Sequence, residues 1–298
     1  MKIAVLADIH GNMQALDAVI GDARRLGISD FIIAGDNITD GPESSEVIKR
    51  IRELSSWVIK GNREDYIIKY HTGAFAGDWN TYKQVAALVC TYERLDAGDI
   101  EYVVNLPEQL TIELPEMPSI KVVHGSPFSM YESLYCDQDL DLLEKAVLSI
   151  DEEVLICGHT HQQWTKQING KLIVNPGSLG GHFGEEICAP YAVLSFNEDV
   201  LLFDEGKRKG KGEWEVELKQ IKYDFELYEK KIHDTGLLDG SPVWTSLMLE
   251  STKKGQNFCV EFLEFAYKMT EEAGYENGGL IPNEIWDKAE EEWAKSHH

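Results

Sequence analysis

Cysteine is scarce and poorly spaced for either of its usual structural roles. The five residues, Cys90, Cys136, Cys157, Cys188 and Cys259, are an odd number without a CxxC pair, which argues against a disulfide framework and a thiolate zinc site and fits a reducing compartment. Long apolar runs are also missing. The run at residues 3–7 stops at Asp8, far short of a secretory core or a membrane span, so the expected location is cytoplasmic, with no membrane partner. Positive charge is the third deficit: 28 lysines and arginines face 52 aspartates and glutamates, a formal net charge of -24. That field repels long polyanions, and nucleic acid is not an expected partner. A small anion remains admissible where bound cations set the local potential.

What is present reads as a folded α/β protein. The first sixty residues alternate short β-branched runs (IAVLAD, FIIAGD, WVIKGN) with amphipathic stretches near 12–26 and 43–54, which predicts βαβαβ and a mainly parallel sheet covered on both faces. In such sheets ligands lie beyond the carboxyl ends of the strands, and the runs here lead into DIHGN, GDN and GNRE. Residues 64–98 read as helix, with Tyr66, Ile67, Tyr70, Tyr82, Val85, Leu88 and Val89 as packing positions. Strand patterns resume with QLTIEL, SIKVVHG, EVLICGH, a hairpin of WTKQI and KLIVN, YAVLSF, VLLFD and WEVELKQI. These predict a second sheet and a four-layer α/β/β/α sandwich. The basic run GKRKGKG at 206–212 reads as a solvated hairpin turn, with too few charges for a nucleic-acid patch. From Asp224 the pattern is helical and acidic, predicting a body of 1–223 and a small helical extension of 224–298. Packing, capping the site and forming a homo-oligomer are all open roles for that extension. The terminal His297 and His298 are compatible with remnants of a purification tag.

Four of the nine histidines fall in short motifs at predicted strand ends, together with two aspartates and an asparagine. If the strands continue, Asp8 and His10 share a face, as do His159 and His161, because residues two apart in a strand point the same way. Carboxylate and amide oxygens mixed with imidazole suit Mn, Fe, Zn, Co or Ni in an open catalytic site. Two dications there, against two aspartates, would leave the site net positive within an acidic body. Each residue alone has a plainer reading: a helix cap for an aspartate after a strand, a satisfied core group for a buried histidine, turn residues for Asp36 and Asn62 beside glycine. Those readings would have to hold independently for all five motifs.

DIH, GDN, GNRE, VVHGSP and CGHTH, followed by NPGSLG, run in that order through about residues 1–205. They resemble the signature of the calcineurin-like metallophosphoesterases, most closely their small bacterial and archaeal phosphodiesterase branch. The resemblance implies two divalent transition metals, with Asp8, His10 and His161 on the first, Asn62, His124 and His159 on the second, and Asp36 bridging them. It further implies hydrolysis of a small anionic phosphodiester or phosphomonoester by a metal-bound hydroxide attacking phosphorus in line, with Asp36, Asn62, Arg63 and His124 at the reacting centre. Arg63 departs from the common GNHE pattern, whose histidine is thought to protonate the leaving group. Arginine cannot act as an acid at ordinary pH but can clamp a phosphate oxygen. Good leaving groups or another acid are then expected, with His182 of GGHFG a candidate.

NPGSLG is expected to close the site floor, with Gly177, Gly180 and Gly181 at positive φ. Asn12 is expected to cap the following helix, and Cys157 to be a buried small hydrophobe. Two alternatives come from other classes. One is a non-catalytic scaffold, as the same fold serves in a eukaryotic retromer subunit, although all seven ligand positions are filled here. The other is a nuclease of the same superfamily, which the charge of -24 disfavours.

Overall fold

The apolar runs at the start of the chain need burial on both faces, and alternate residues find different partners. In the computed structural model, which describes every residue except 76, 138–139, 198–200, 205–206, 211, 276–278 and 298, β1 (Lys2–Leu6) turns Ala4 and Leu6 toward α1 (Met13–Arg25). It turns Ile3 and Val5 toward a second sheet. Then follow β2 (Asp30–Ala34), α2 (Ser44–Arg52), β3 (Ser55–Ile59) and α3 (Asn62–His71). As expected, Asn12 caps α1, its Oδ1 accepting from Ala15 N–H at 3.0 Å.

The next stretch is broken where continuous helix was expected. Two 3₁₀ turns at Trp79–Thr81 and Lys83–Val85 precede α4 (Ala86–Tyr92) and α5 (Ala97–Asn105), because Tyr82 between the turns is extended and Asp96 caps a fresh helix start. The second sheet is built from β4 (Gln109–Ile112), β5 (Ile120–Val123), β6 (Val154–Ile156), β7 (Gln163–Ile168) and β8 (Lys171–Pro176), in the order β4-β5-β6-β8-β7. Its outer face is covered by α6 (Leu140–Leu148), a helix the pattern reading did not separate.

The later strands do not all join that second sheet. β9 (Ala189–Asn197) and, after the pair β10 (Leu201–Asp204) and β11 (Lys207–Gly210), β12 (Glu213–Ile221) complete the first one, in the order β12-β9-β1-β2-β3. Only β1, β2 and β3 run parallel there; β9 and β12 are antiparallel. The basic run is therefore largely strand β11, hydrogen-bonded to β10, instead of a turn; residues 206 and 211 of that run lie outside the described residues. Two five-stranded sheets face each other through Ile3, Val5, Ile120, Val122 and Ile156, with helices outside both. This is the four-layer α/β/β/α arrangement.

The remaining chain forms α7 (Phe225–Asp234), α8 (Leu237–Gly240), α9 (Pro242–Lys254), α10 (Phe258–Glu272) and α11 (Asn283–His297). Helices α9, α10 and α11 enclose their own core around Phe262 and Trp286, whose rings meet edge to face at 5.0 Å between centroids. They are tied to the 3₁₀ turns: Lys83 N–H donates to Asn283 Oδ1 at 2.8 Å, and Ile281 N–H to Gln84 Oε1 at 2.9 Å. No helix among the described residues is long and apolar enough to cross a membrane. Cys157, beside β6, is fully buried. Because Phe262 is fully buried among these helices, Phe262→Ala is expected to lower the unfolding free energy by about 3–5 kcal/mol in urea titration. A loss below about 1 kcal/mol would contradict this packing.

Candidate metal centre

Five loops meet beyond the ends of β1, β2, β3, β5 and β6. Their backbones are not extended: Asp8 (φ 53°), His10 (φ 47°) and Asp36 (φ 52°) adopt the left-handed region, as do His159 (φ 67°) and His161 (φ 60°). Such values are uncommon for residues with a Cβ and persist only when surrounding structure enforces them. Here the enforcement is a zip of backbone bonds past the strand ends, from Asp8 N–H to Gly35 O, His10 N–H to Asp36 O and Gly11 N–H to Asn37 O, each 3.0 Å. The pairs Asp8/His10 and His159/His161 therefore converge by loop curvature, not by sharing a face of a continuing strand.

The glycines of NPGSLG serve two different ends. Gly177 has φ 81°, as expected, whereas Gly180 and Gly181 do not take positive φ. They are needed for space instead: a Cβ on Gly180 would stand 2.4 Å from Ile9 O, and one on Gly181 2.9 Å from His161 Nδ1.

All seven side chains singled out in the sequence come together. His10 Nε2 and His161 Nε2 are 3.1 Å apart, with Asp8 Oδ1 at 3.6 Å from the latter. His124 Nε2 is 3.0 Å from Asn62 Oδ1 and 3.4 Å from Asp36 Oδ2, and the His159 ring stands edge-on to that of His124, 5.1 Å between centroids. Asp36 Oδ2 lies between the two groups, 3.9 Å from His10 Nε2, while its Oδ1 accepts from Arg63 N–H at 2.8 Å. Two sets, Asp8/His10/His161 and Asp8/Asp36/His124, have donor atoms close enough to share an ion. His10, Asp36, Asn62, His159 and His161 line a cavity of about 260 Å³; Asp8 and His124 are buried.

The outer nitrogens test whether a cation fits. His124 Nδ1 is 2.8 Å from Ala34 O and His161 Nδ1 3.0 Å from Gly181 O. A carbonyl only accepts, so both rings carry a proton on Nδ1 and turn Nε2 inward, where the neutral ring would offer a lone pair. His10 has no good neutral state. With the proton on Nδ1, its Nε2 lone pair faces that of His161; with the proton on Nε2, its Nδ1 lone pair faces Asp40 Oδ2 at 3.3 Å. A positive charge removes the conflict, either a second ring proton, which burial opposes but Asp40, Asp36 and Asp8 favour, raising the His10 pKa, or a cation at Nε2.

The electrostatics follow. Burial, then the neighbouring Asp36, pushes the Asp8 carboxyl up to about 7. Burial opposes charge on Asp36 as well, but His124 and His10 hold its carboxyl well below the usual range. His124 is pushed up to about 10, burial being outweighed by Asp36. Burial and the charge on His124 bring His159 down to about 4.

Three further residues are built into the centre, and no motif reading assigned them a role. Glu64, fully buried, accepts from the N–H groups of Asp36 (3.0 Å), Asn37 (2.7 Å), Ile38 (3.2 Å) and Gly61 (2.7 Å), clamping the two loops that present Asp36 and Asn62. Its position in GNRE was the available signal. Asp40 pairs with Arg63 Nη2 at 3.1 Å and accepts from Trp244 Nε1–H at 2.9 Å. Burial opposes its charge, yet Arg63 and His10 bring its carboxyl down to about 2. Standing in TDGP, it looks like a turn residue. Trp244, from α9, also lies under Arg63, whose Cζ is 5.6 Å from its ring. Arg63 thus faces the cavity; His182 does not line it, and its Nδ1 is buried without a partner.

Comparison with known proteins places this geometry. Residues 1–199 match the family model of the calcineurin-like phosphoesterase superfamily domain. An uncharacterized protein of Methanocaldococcus jannaschii is 25% identical over 254 residues, 81% of this chain and 94% of its own length. Among solved structures, a metallophosphoesterase from Sphaerobacter thermophilus is 22% identical with a TM-score of 0.62, over 86% of this chain and 99% of that one. A hypothetical protein from Pyrococcus horikoshii is 23% identical with a TM-score of 0.63, over 82% of this chain and 97% of that one. All three alignments extend beyond the length of the family domain.

Removing the Glu64 carboxylate would strand four buried N–H groups, each costing about 1–3 kcal/mol when unpaired. Glu64→Ala is accordingly expected to lower stability by at least about 3 kcal/mol in chemical denaturation. A change under about 1 kcal/mol would contradict the clamp.

Proposed function

The chain belongs to the calcineurin-like phosphoesterase superfamily, and we propose that it hydrolyses small anionic phosphoesters with the help of two divalent transition metals. In this reading Asp8, His10 and His161 hold one metal, Asn62, His124 and His159 the other, and Asp36 bridges them. The observation that carries it is the convergence of donor atoms in two groups, Asp8/His10/His161 and Asp8/Asp36/His124, with His124 and His161 fixed through Nδ1 on backbone carbonyls so that both turn Nε2 inward. The mixed nitrogen and oxygen donors suit Mn, Fe, Zn, Co or Ni. When bound, such ions supply Lewis-acidic charge and lower the pKa of a water toward neutrality.

The protein's own groups prepare the substrate. Arg63 spends part of its guanidinium on Asp40 and rests against Trp244, which fixes its direction and leaves N–H donors for a phosphate oxygen. Backbone bonds at Asp36 and the Glu64 clamp hold Asp36 and Asn62 in place before substrate arrives, so little reorganisation is needed. Trp244, Met248, Val260 and Leu263 add apolar lining to the cavity beside the polar groups. Residues 1–223 are then the hydrolase body and 224–298 a helical cover. Because Arg63 stays charged and His182 lies off the cavity wall, esters with acidic leaving alcohols are the favoured substrates.

Bis-p-nitrophenyl phosphate tests this reading. Hydrolysis is expected with added manganese, to stop with EDTA, and to fall at least about 100-fold in Asp36→Ala. Failure of manganese, iron, zinc, cobalt and nickel alike to support hydrolysis would count against an esterase. In Arg63→Ala, kcat/KM is expected to drop about 10- to 100-fold, the worth of a charge-assisted hydrogen bond, while bound metal is unchanged. Loss of metal in that variant would place Arg63 in the ligand scaffold instead.

A further inference from the structure

A second cavity, of about 530 Å³, adjoins the first, and the two share Asp40, Asn62, Arg63, Trp244 and Leu263. Its size lies within the range of small-molecule sites, about 300–1,000 Å³. Beyond the shared rim its character changes. Tyr66, Trp79 and Tyr267 contribute rings, Val85 and Leu88 aliphatic walls, and among the described residues no Asp, Glu, Lys or Arg other than Asp40 and Arg63 lines it. Gln84 is already committed: its Nε2–H donates to Tyr267 Oη at 2.8 Å and its Oε1 accepts from Ile281 N–H at 2.9 Å.

A charged group entering this space beyond the rim would lose water without finding, among the described residues, a charged partner other than Asp40 and Arg63. A flat neutral ring would gain contact with the aromatic and aliphatic side chains that line it, and the Tyr66 and Tyr267 hydroxyls offer partners for a polar ring edge. The junction between the cavities is where Arg63 and Asn62 stand, so one ligand can span both, with its anionic end at the polar centre and its organic end among the aromatic walls. Those walls come jointly from the segment 79–88 and from α9 and α10. The C-terminal helices therefore select the organic group as well as cover the metal centre.

We propose that this second cavity receives the organic group of the phosphoester, and that this group is a neutral aromatic ring. The inference rests on the hydrolase reading above for its anionic end and narrows the substrate class to phosphoesters bearing an aryl group or a nucleobase.

Calorimetric titration of the full-length chain as purified tests it with adenosine, phenol and ribose, none of which has a phosphoester to hydrolyse. Saturable binding of adenosine or phenol is expected, with none of ribose; adenosine marks a nucleobase and phenol alone a simple aryl group. Binding is expected to weaken about tenfold or more in Ala87→Phe and in Leu280→Trp, which put bulk into the cavity away from the metal centre. Leu280 is only half-buried, so its variant keeps the test open if the tighter Ala87 site does not tolerate phenylalanine. No ring binding, ribose binding as tight as a ring, or ring binding that the folded variants leave unchanged would overturn the proposal. A chain that binds rings but hydrolyses no ester would lose the hydrolase reading alone, and one that hydrolyses esters but binds no ring would lose this inference alone.

Discussion

Two buried carboxylates, Asp8 and Asp36, sit together among histidines whose inner nitrogens face them and one another. Taken out of water without positive charge, such a group of acceptors is expensive. Much of the surrounding structure serves to hold it in place. The left-handed backbone at Asp8, His10, Asp36, His159 and His161, the zip of main-chain bonds beyond β1 and β2, the close approach of Gly180 to Ile9 and the Glu64 clamp all fix donor atoms against their mutual repulsion. A bound cation would turn that repulsion into attraction, and the proposed two-metal reading rests on that constraint.

The same constraint links the centre to the C-terminal helices. Asp40 faces His10 on one side, pairs with Arg63 on another, and accepts a hydrogen bond from Trp244 Nε1–H of α9 on a third. One buried carboxylate thus connects a proposed ligand, a proposed phosphate clamp and the cover. Lys231 of α7 reinforces the attachment by reaching Glu43 beside α2. The cover is a wall of the site, built from residues that a family match ending at 199 does not include.

Much of this was legible beforehand because the chemistry sits at strand ends, where short motifs stay contiguous. DIH, GDN, GNRE and GHTH keep their functional side chains close in sequence, and their joint occurrence at strand ends in the order the family resemblance implies suggested that they act together. The reason first given for their convergence was wrong: a continuing strand would have aligned Asp8 with His10, but the chain curves into the left-handed region instead. Asp40 and Trp244 are 204 residues apart and meet only in the fold, and nothing in TDGP or SPVW marks either. The division of strands between sheets was equally hidden, since YAVLSF and WEVELKQI alternate like any strand while their partner β1 lies at the opposite end of the chain. The broken helix after residue 71 depends on Tyr82 turning extended between two short turns, which helical periodicity does not register.

Anomalous diffraction from manganese-soaked crystals tests the central claim most directly. Two peaks are predicted, one in contact with Asp8, His10 and His161 and the other with Asn62, His124 and His159, both within reach of Asp36 Oδ2. A single peak, or none among these seven residues, would contradict the two-metal account.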